Sequence, residues 1–364
     1  MINKYLKILL ISVIVFSINS CSSHSKVQIN NLIKNTYFKQ KEINTIHEHM
    51  QEFPNNTQIS IAKIENGKVN FYGAIRQNNK LETIDNHENI FKIGSITKLF
   101  TSTFLAQMVI DKKLNLDDDI QEKLKTKLFN NPKITYKQLS NHTAGLPRNP
   151  YYKDKHHYEN YNDKDLENYL QTKLKIDKQN EFNYSNLGAS ILGYTISSIQ
   201  NKSYEELLQE LTFKLNMHNT TTVKGKIENK LILPSKIDNN ISPAMTSAGG
   251  IYSSVEDLSK FAIASYEDTN KALKLTQKET FMHKDFFDVT KIGLAWGISN
   301  EDFTETLHLH GGNIGGYASF IVLDIKNKNA IIILSHQASF YDNEPNDISS
   351  LAIDLIKLMY KKET

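Results

Sequence analysis

Ile96, Leu99, Phe100, Phe104, Leu105, Ala106, Met108, Val109 and Ile110 make a run that is apolar almost all the way round a helix. Such a helix must be buried, so the rest of the chain has to wrap around it. The run opens on Gly94-Ser95 and carries Lys98 in its first turn. Residues three apart share a helix face, which sets the Lys98 amine one turn from the Ser95 hydroxyl. A serine attacks a carbonyl only when something takes its proton, and a lysine held partly out of water can take or relay it. Gly94 permits a sharp backbone turn, so the Ser95 amide is able to face the same space. For this segment alone, a core helix with a capping serine and a lysine reaching to water reads equally well. Ser23 and Lys26 repeat the spacing, which shows how cheaply it arises.

The flanking pattern narrows the fold. Residues 58–64 and 69–75 alternate as strands around Asn66-Gly67, a strong hairpin signal. Strands return after about residue 285, at 292–298, 306–313, 318–325 and 330–335, and an amphipathic helix over 348–360 closes the chain. Between these ends the pattern is mostly helical: a short helix at 135–139, one running from Tyr184-Ser185-Asn186 to Ile199, one over 203–218, and a capped helix after Ser247-Ala248-Gly249-Gly250. A further helix before the first hairpin is predicted by the spacing of Ile43, Ile46 and Met50. The expected fold class is α/β: an α/β lobe built from about 45–110 and 285–362, a helical lobe over about 111–284, and a cleft at their seam where Ser95 sits. Residues 148–163 read as a surface excursion able to cover that cleft. Tyr184 and Asn186, at i and i+2 where a helix begins, can face one cleft, the phenol as proton shuttle and the amide as a hydrogen-bonding arm. The same pair of types recurs at Tyr158/Asn160 and Tyr341/Asn343, and a plain helix start is the simpler alternative at each. His47 with His49 and His156 with His157 read as surface residues, so neither a metal nor a cofactor is expected.

The 364 residues carry a formal charge of +3, to which Lys4 and Lys7 contribute, so nothing suggests nucleic acid as a partner. Residues 1–20 read as an export signal: two lysines, then an apolar run over 8–18 that is short for a membrane span. The run ends Ile18-Asn19-Ser20-Cys21, and Cys21 is the chain's single cysteine, which excludes a disulfide within it. This segment resembles a bacterial lipoprotein signal, which implies lipidation of Cys21 and a place on a bacterial membrane facing the periplasm or cell exterior; a tether over 21–44, a folded domain over 45–362 and a monomer are expected beside it. An ordinary secretory peptide with an incidental cysteine is the alternative.

Ser95-x-x-Lys98, Tyr184-Ser185-Asn186 and His310-Gly311-Gly312, in that order, resemble the three motifs of the penicillin-recognising serine hydrolases: class C β-lactamases, D-alanyl-D-alanine carboxypeptidases and related esterases. The likeness extends over roughly 45–360 and takes in His142-Thr143-Ala144-Gly145-Leu146-Pro147, 247–250 and Gly293-Leu294-Ala295-Trp296. It implies a β-lactamase/transpeptidase-like fold, an antiparallel sheet flanked by helices with a helical lobe. It also implies a small-molecule or peptidoglycan-peptide substrate. Carried over by position, it makes Ser95 the nucleophile, Lys98 its partner and Tyr184 the general base. Asn186 binds a substrate amide, His310, Gly311 and Gly312 form the opposite wall, and the amides of Ser95 and Asn313 form an oxyanion hole. Lys92 stands where class C enzymes usually have Glu, Thr97 where they have Ser or Ala, and His310 where they have Lys. These departures favour the peptidase and esterase branches, with a catalytically silent cell-wall-peptide-binding lipoprotein, or a surface interaction module, as alternatives. With a free pKa of about 6.5, His310 is expected to gain charge as pH falls from 8 to 5.5 and so to change the preference for carboxylate substrates; Arg148 is the other cation able to hold one.

Overall fold

A computed structural model describes residues 27, 29–234, 241–286, 289–300, 305–337 and 347–360. The signal over 1–20, Cys21, the Ser23/Lys26 pair and Tyr341/Asn343 lie outside these residues.

Turn chemistry builds the sheet. Asn66 and Gly67 both take positive φ between β2 (Thr57–Glu65) and β3 (Lys68–Gln77), the geometry a two-residue hairpin demands. Asn78 and Asn79 do the same before β4 (Lys80–Ile84), and Gly315 and Gly316 join β10 (Leu307–Ile314) to β11 (Tyr317–Asp324). With β1 (Ile29–Asn31), β7 (Phe281–Phe286), β8 (Val289–Ile292), β9 (Gly297–Ser299) and β12 (Asn329–Ser335), these strands form one sheet in the order β1-β4-β3-β2-β12-β11-β10-β9-β8-β7. The chain's two ends thus meet where β2 pairs with β12.

Several expectations need correction. The sheet is mixed rather than antiparallel, because β1 runs parallel to β4. That edge strand falls in the stretch read as tether, where no alternating pattern announces it. Residues 292–298 are not one strand: Ala295 has φ of 63°, and Gly293 N–H closes a turn onto the Trp296 carbonyl at 2.8 Å. The stretch 148–163 is mostly exposed, as expected of a surface excursion, but contains the helix Lys155–Asn160 and is anchored by Tyr152, whose ring meets Tyr158 and the buried Tyr161 edge to face.

The sheet separates two apolar cores. Along β12, Ile331 and Ile333 face one side and Ile332 and Leu334 the other, as a two-residue period requires. The first side is covered by the helices Gln40–Met50 and Ile348–Leu358, through Ile43, Ile46, Met50, Leu351 and Leu355. The second holds the larger core and the helix Thr97–Ile110, buried along nearly its whole length. Its hydroxyls are satisfied inside the protein: Ser102 bonds Ser140 and Thr101 donates to the Ser247 carbonyl, each at 2.7 Å. No helix among the described residues is long and apolar enough to cross a membrane.

Candidate active site

The start of the central helix is fixed from three directions. β5 (Phe91–Lys92) pairs with β6 (Tyr252–Ser253), and Ile93 N–H donates to the Ile251 carbonyl at 2.9 Å. Gly94, at φ +49°, then turns the chain into a tight 3-10 turn over Gly94–Ile96, which leaves Ser95 half-buried at the seam. β10 presses on this turn from the far side. A Cβ on Gly312 would lie 2.4 Å from the Ile93 carbonyl oxygen and 2.8 Å from Ser95 N, and one on Gly94 would lie 3.1 Å from Asn313 N. The two amides named for an oxyanion hole therefore border one narrow gap, which is open because position 312 has no side chain.

Lys98 is buried, and its Nζ lies 3.0 Å from Ser95 Oγ, 2.8 Å from Asn186 Oδ1 and 2.7 Å from the Ala248 carbonyl oxygen. Burial, reinforced by the charge of Arg148, holds its pKa well below that of an ordinary lysine. The partners suit the neutral amine: two N–H bonds go to the two carbonyl oxygens, and the lone pair is left for the Ser95 hydroxyl. Ser185 caps the helix Asn186–Gln200, accepting from Gly188 N–H at 2.9 Å and donating to the Pro147 carbonyl at 2.7 Å, which places Tyr184 and Asn186 on the cleft. Tyr184 hydrogen-bonds the Ser95 side chain, and its pKa is pushed up to about 12, chiefly by burial. Its proton therefore stays on the phenol at neutral pH.

His310 comes from the opposite strand, with its ring centroid 6.4 Å from that of Tyr184. Burial, with Lys98 nearby, lowers its pKa to about 4, while Nδ1 hydrogen-bonds the Gly311 carbonyl oxygen at 2.8 Å. The expected gain of charge between pH 8 and 5.5 is thus overturned, because the imidazole stays neutral there.

The structure brings Ser95, Lys98, Tyr184, Asn186 and His310 together, with Gly311, Gly312 and Asn313 following on β10. Sequence reasoning gave no role to Ala248, His142 or Asn149. Ala248 reaches Lys98 because Gly193, across the helix contact, leaves room for Ser247, only 2.2 Å from where a Cβ would stand. His142, at φ +62°, lays its ring 4.4 Å from that of Tyr184 and accepts from Ser185 N–H through Nδ1. Asn149 accepts from Asn186 Nδ2 at 3.0 Å. All three lie in or beside the framework stretches around 142–147 and 247–250, which was the available signal.

Among the described residues, His87, Glu88 and Glu256 lie close enough together to share a metal ion. Lys230 pairs with Glu88 and Lys260 with Glu256, which accounts for the carboxylates as a surface ion-pair group.

The beta-lactamase family model matches residues 47–353. The chain belongs to the beta-lactamase family. Protein flp of Staphylococcus aureus (strain MRSA252) is 25% identical over 328 residues, covering 83% of this chain and 64% of that protein, so the chain spans somewhat under two thirds of that curated relative. Its fold is similar to that of the octameric penicillin-binding protein homologue from Pyrococcus abyssi, with TM-score 0.74 and 23% identity over 88% of this chain and 76% of that one. It is also similar to that of the β-lactamase/D-alanine carboxypeptidase from Yersinia pestis, with TM-score 0.75 and 18% identity over 90% and 100%. At these identities the likeness is one of fold: the β-lactamase/transpeptidase-like arrangement of a mixed sheet flanked by helices.

Proposed function

We propose that this protein is a serine hydrolase acting through an acyl-enzyme on D-amino-acid peptides, β-lactams or esters. The observation that carries the reading is the buried Lys98, with two carbonyl oxygens on its N–H groups and Ser95 Oγ at its remaining position. Ser95 Oγ attacks the substrate carbonyl carbon while its proton passes to Lys98 Nζ. The developing oxyanion is received by the amides of Ser95 and Asn313, and each such donor is worth about 3 kcal/mol in systems of this kind. As the tetrahedral intermediate collapses, Tyr184 gives its phenolic proton to the leaving group and recovers one from the Lys98 ammonium. Water then attacks the ester with the proton path reversed, releasing the acid and Ser95. The family resemblance made Tyr184 the base; the raised pKa of Tyr184 and lowered pKa of Lys98 support Lys98 in that part instead.

Intact-mass measurement after incubation with a fluorophosphonate or a penicillin tests the reading. The expected result is one adduct on the wild type and none on Ser95→Ala. An adduct of equal yield on the variant would refute it, and a wild type that binds cell-wall peptide without forming any adduct would point to the catalytically silent alternative.

We also propose that Cys21 carries a lipid anchor that sets the domain on a membrane facing the periplasm or cell exterior, on the strength of the apolar run that ends at the chain's single cysteine. Cys21→Ala is expected to abolish palmitate incorporation and release the protein from membrane fractions; unchanged partitioning counts against it.

A further inference from the structure

Tyr184 can hand a proton to a leaving group only while its phenol is held against Ser95, and a single residue grips it from three sides. His142 follows the short helix Tyr136–Ser140 in the left-handed conformation, at φ +62°, while Thr143 N–H reaches back to the Gln138 carbonyl at 3.0 Å. Glycine usually takes that place after a helix, because a side chain there adds strain. Here the side chain is buried and fully engaged with the tyrosine. The His142 carbonyl accepts from Asn183 N–H at 2.8 Å, and Nδ1 accepts from Ser185 N–H at 3.2 Å, so the residues before and after Tyr184 are both tied to it. The imidazole itself lies 4.4 Å from the Tyr184 ring at a tilt of 37°, with the Phe182 ring edge-on to it at 6.0 Å. Because Nδ1 accepts, the proton sits on Nε2, which is buried with no hydrogen-bond partner among the described residues. An unpaired buried donor costs about 1–3 kcal/mol, so an imidazole fills this space less favourably than an apolar ring would. Burial, with Lys98 nearby, holds its pKa well below that of a free histidine, so it adds no charge beside the phenol.

Resting on the serine-hydrolase reading, we infer that His142 is a positioning residue for Tyr184, holding the phenol where it can protonate the departing atom. The substrates that depend on it are those whose leaving group cannot depart without a proton, alkyl esters and amides, rather than activated aryl esters. A displacement of about 1 Å in such a group can cost on the order of 100-fold in the step it serves.

The test uses the detergent-solubilised full chain and two esters with the same acyl part. One releases p-nitrophenolate, which departs without a proton, and the other ethanol, which must receive one. Release of each is timed in the first turnover. The ratio of the ethyl rate to the p-nitrophenyl rate cancels any loss common to both, such as a disturbed oxyanion gap. Both rates are read on one preparation, so the ratio is independent of how much of a variant is folded. Asparagine adopts left-handed backbone readily, so His142→Asn keeps the turn and removes the ring; it is expected to lower the ratio about tenfold. His142→Gln, whose longer arm can still accept from Ser185 N–H, is expected to lower it less. Tyr184→Phe already lacks the proton, so adding His142→Asn to it should move the ratio by less than about twofold. A fall smaller than threefold in His142→Asn, or an equal fall in the Tyr184→Phe background, overturns the inference. Fluorophosphonate labelling of the wild type at Ser95, run in parallel, separates the two failures. Labelling with an unmoved ratio, or with no release from either ester, sinks the role of His142 only, while no labelling and no release removes the hydrolase reading and this inference with it.

Discussion

Gly312→Ala is the substitution through which the geometry of the site can be tested most directly. The new Cβ would stand 2.4 Å from Ile93 O, 2.5 Å from Ser319 Oγ and 2.8 Å from Ser95 N. To reach 3.4 Å, where van der Waals contact becomes ordinary, the backbone atoms would have to retreat by roughly 0.6 to 1 Å. They belong to the turn that presents Ser95, and Ser319 Oγ is itself tied to Ile93 O at 2.7 Å, so the strain cannot be shed into a flexible side chain. Overpacking of this kind costs about 1–3 kcal/mol of stability. Displacing the Ser95 amide from the gap it shares with Asn313 N should cost about 100- to 1000-fold in acylation. Gly311→Ala, one residue earlier on the same strand, is the control. Its Cβ would meet the Phe320 ring at 3.3 Å, and a ring can shift where a backbone amide cannot. The assay is stopped-flow acylation by a chromogenic β-lactam or activated ester, with thermal melting alongside. If Gly312→Ala acylates at the wild-type rate, β10 does not close the oxyanion gap and the assignment of Ser95 N and Asn313 N fails.

Two further outcomes follow from the charges. Lys98 accepts the proton only as the neutral amine, whose fraction rises with pH, so the acylation rate should climb with pH and level off well below the 10.5 of a free lysine. Lys98→Arg, which keeps the charge but cannot deprotonate, should lose about 100-fold or more; a rate that climbs to pH 10.5 without a plateau would contradict the neutral-amine mechanism. His310, with its pKa in the fold at about 4 against 6.5 when free, binds its proton only below that lower value. The ratio of kcat/KM for a carboxylate-bearing ester over its neutral analogue should therefore be flat from about pH 6 to 8.5, and a rise toward pH 6 would show that the imidazole is charged after all.

Much of the site was legible because its parts are local. The apolar run after Ser95, the Asn66-Gly67 turn and the Ser185 cap each carry their signal within a few residues, and each stands where the pattern placed it. What the sequence hid depends on contacts between distant segments. β1 has no alternation of its own and exists because β4 offers an edge. The break at 293–296 is made by Gly293, where a Cβ would lie 2.5 Å from the Thr276 carbonyl, and by Trp296, whose indole N–H donates to Thr276 Oγ1 at 3.2 Å; Thr276 is not nearby in the chain. Ala248 binds Lys98 through its carbonyl, which any residue type would supply.

The misreading of His310 has the same origin and a wider consequence. Its residue type suggests a group that titrates near neutrality, but protonation is settled by solvation, and the fold buries this residue of β10 beside Tyr184. Enclosure removes charge from Lys98 as well, so the interior of the cleft is left with hydrogen-bonding groups and no standing cation. A second positive charge inside would raise the cost of forming the Lys98 ammonium during acylation. A neutral His310 avoids that repulsion. The buried histidine on β10 and the enclosed Lys98 thus belong to one electrostatic arrangement, in which proton transfer is served by neutral groups.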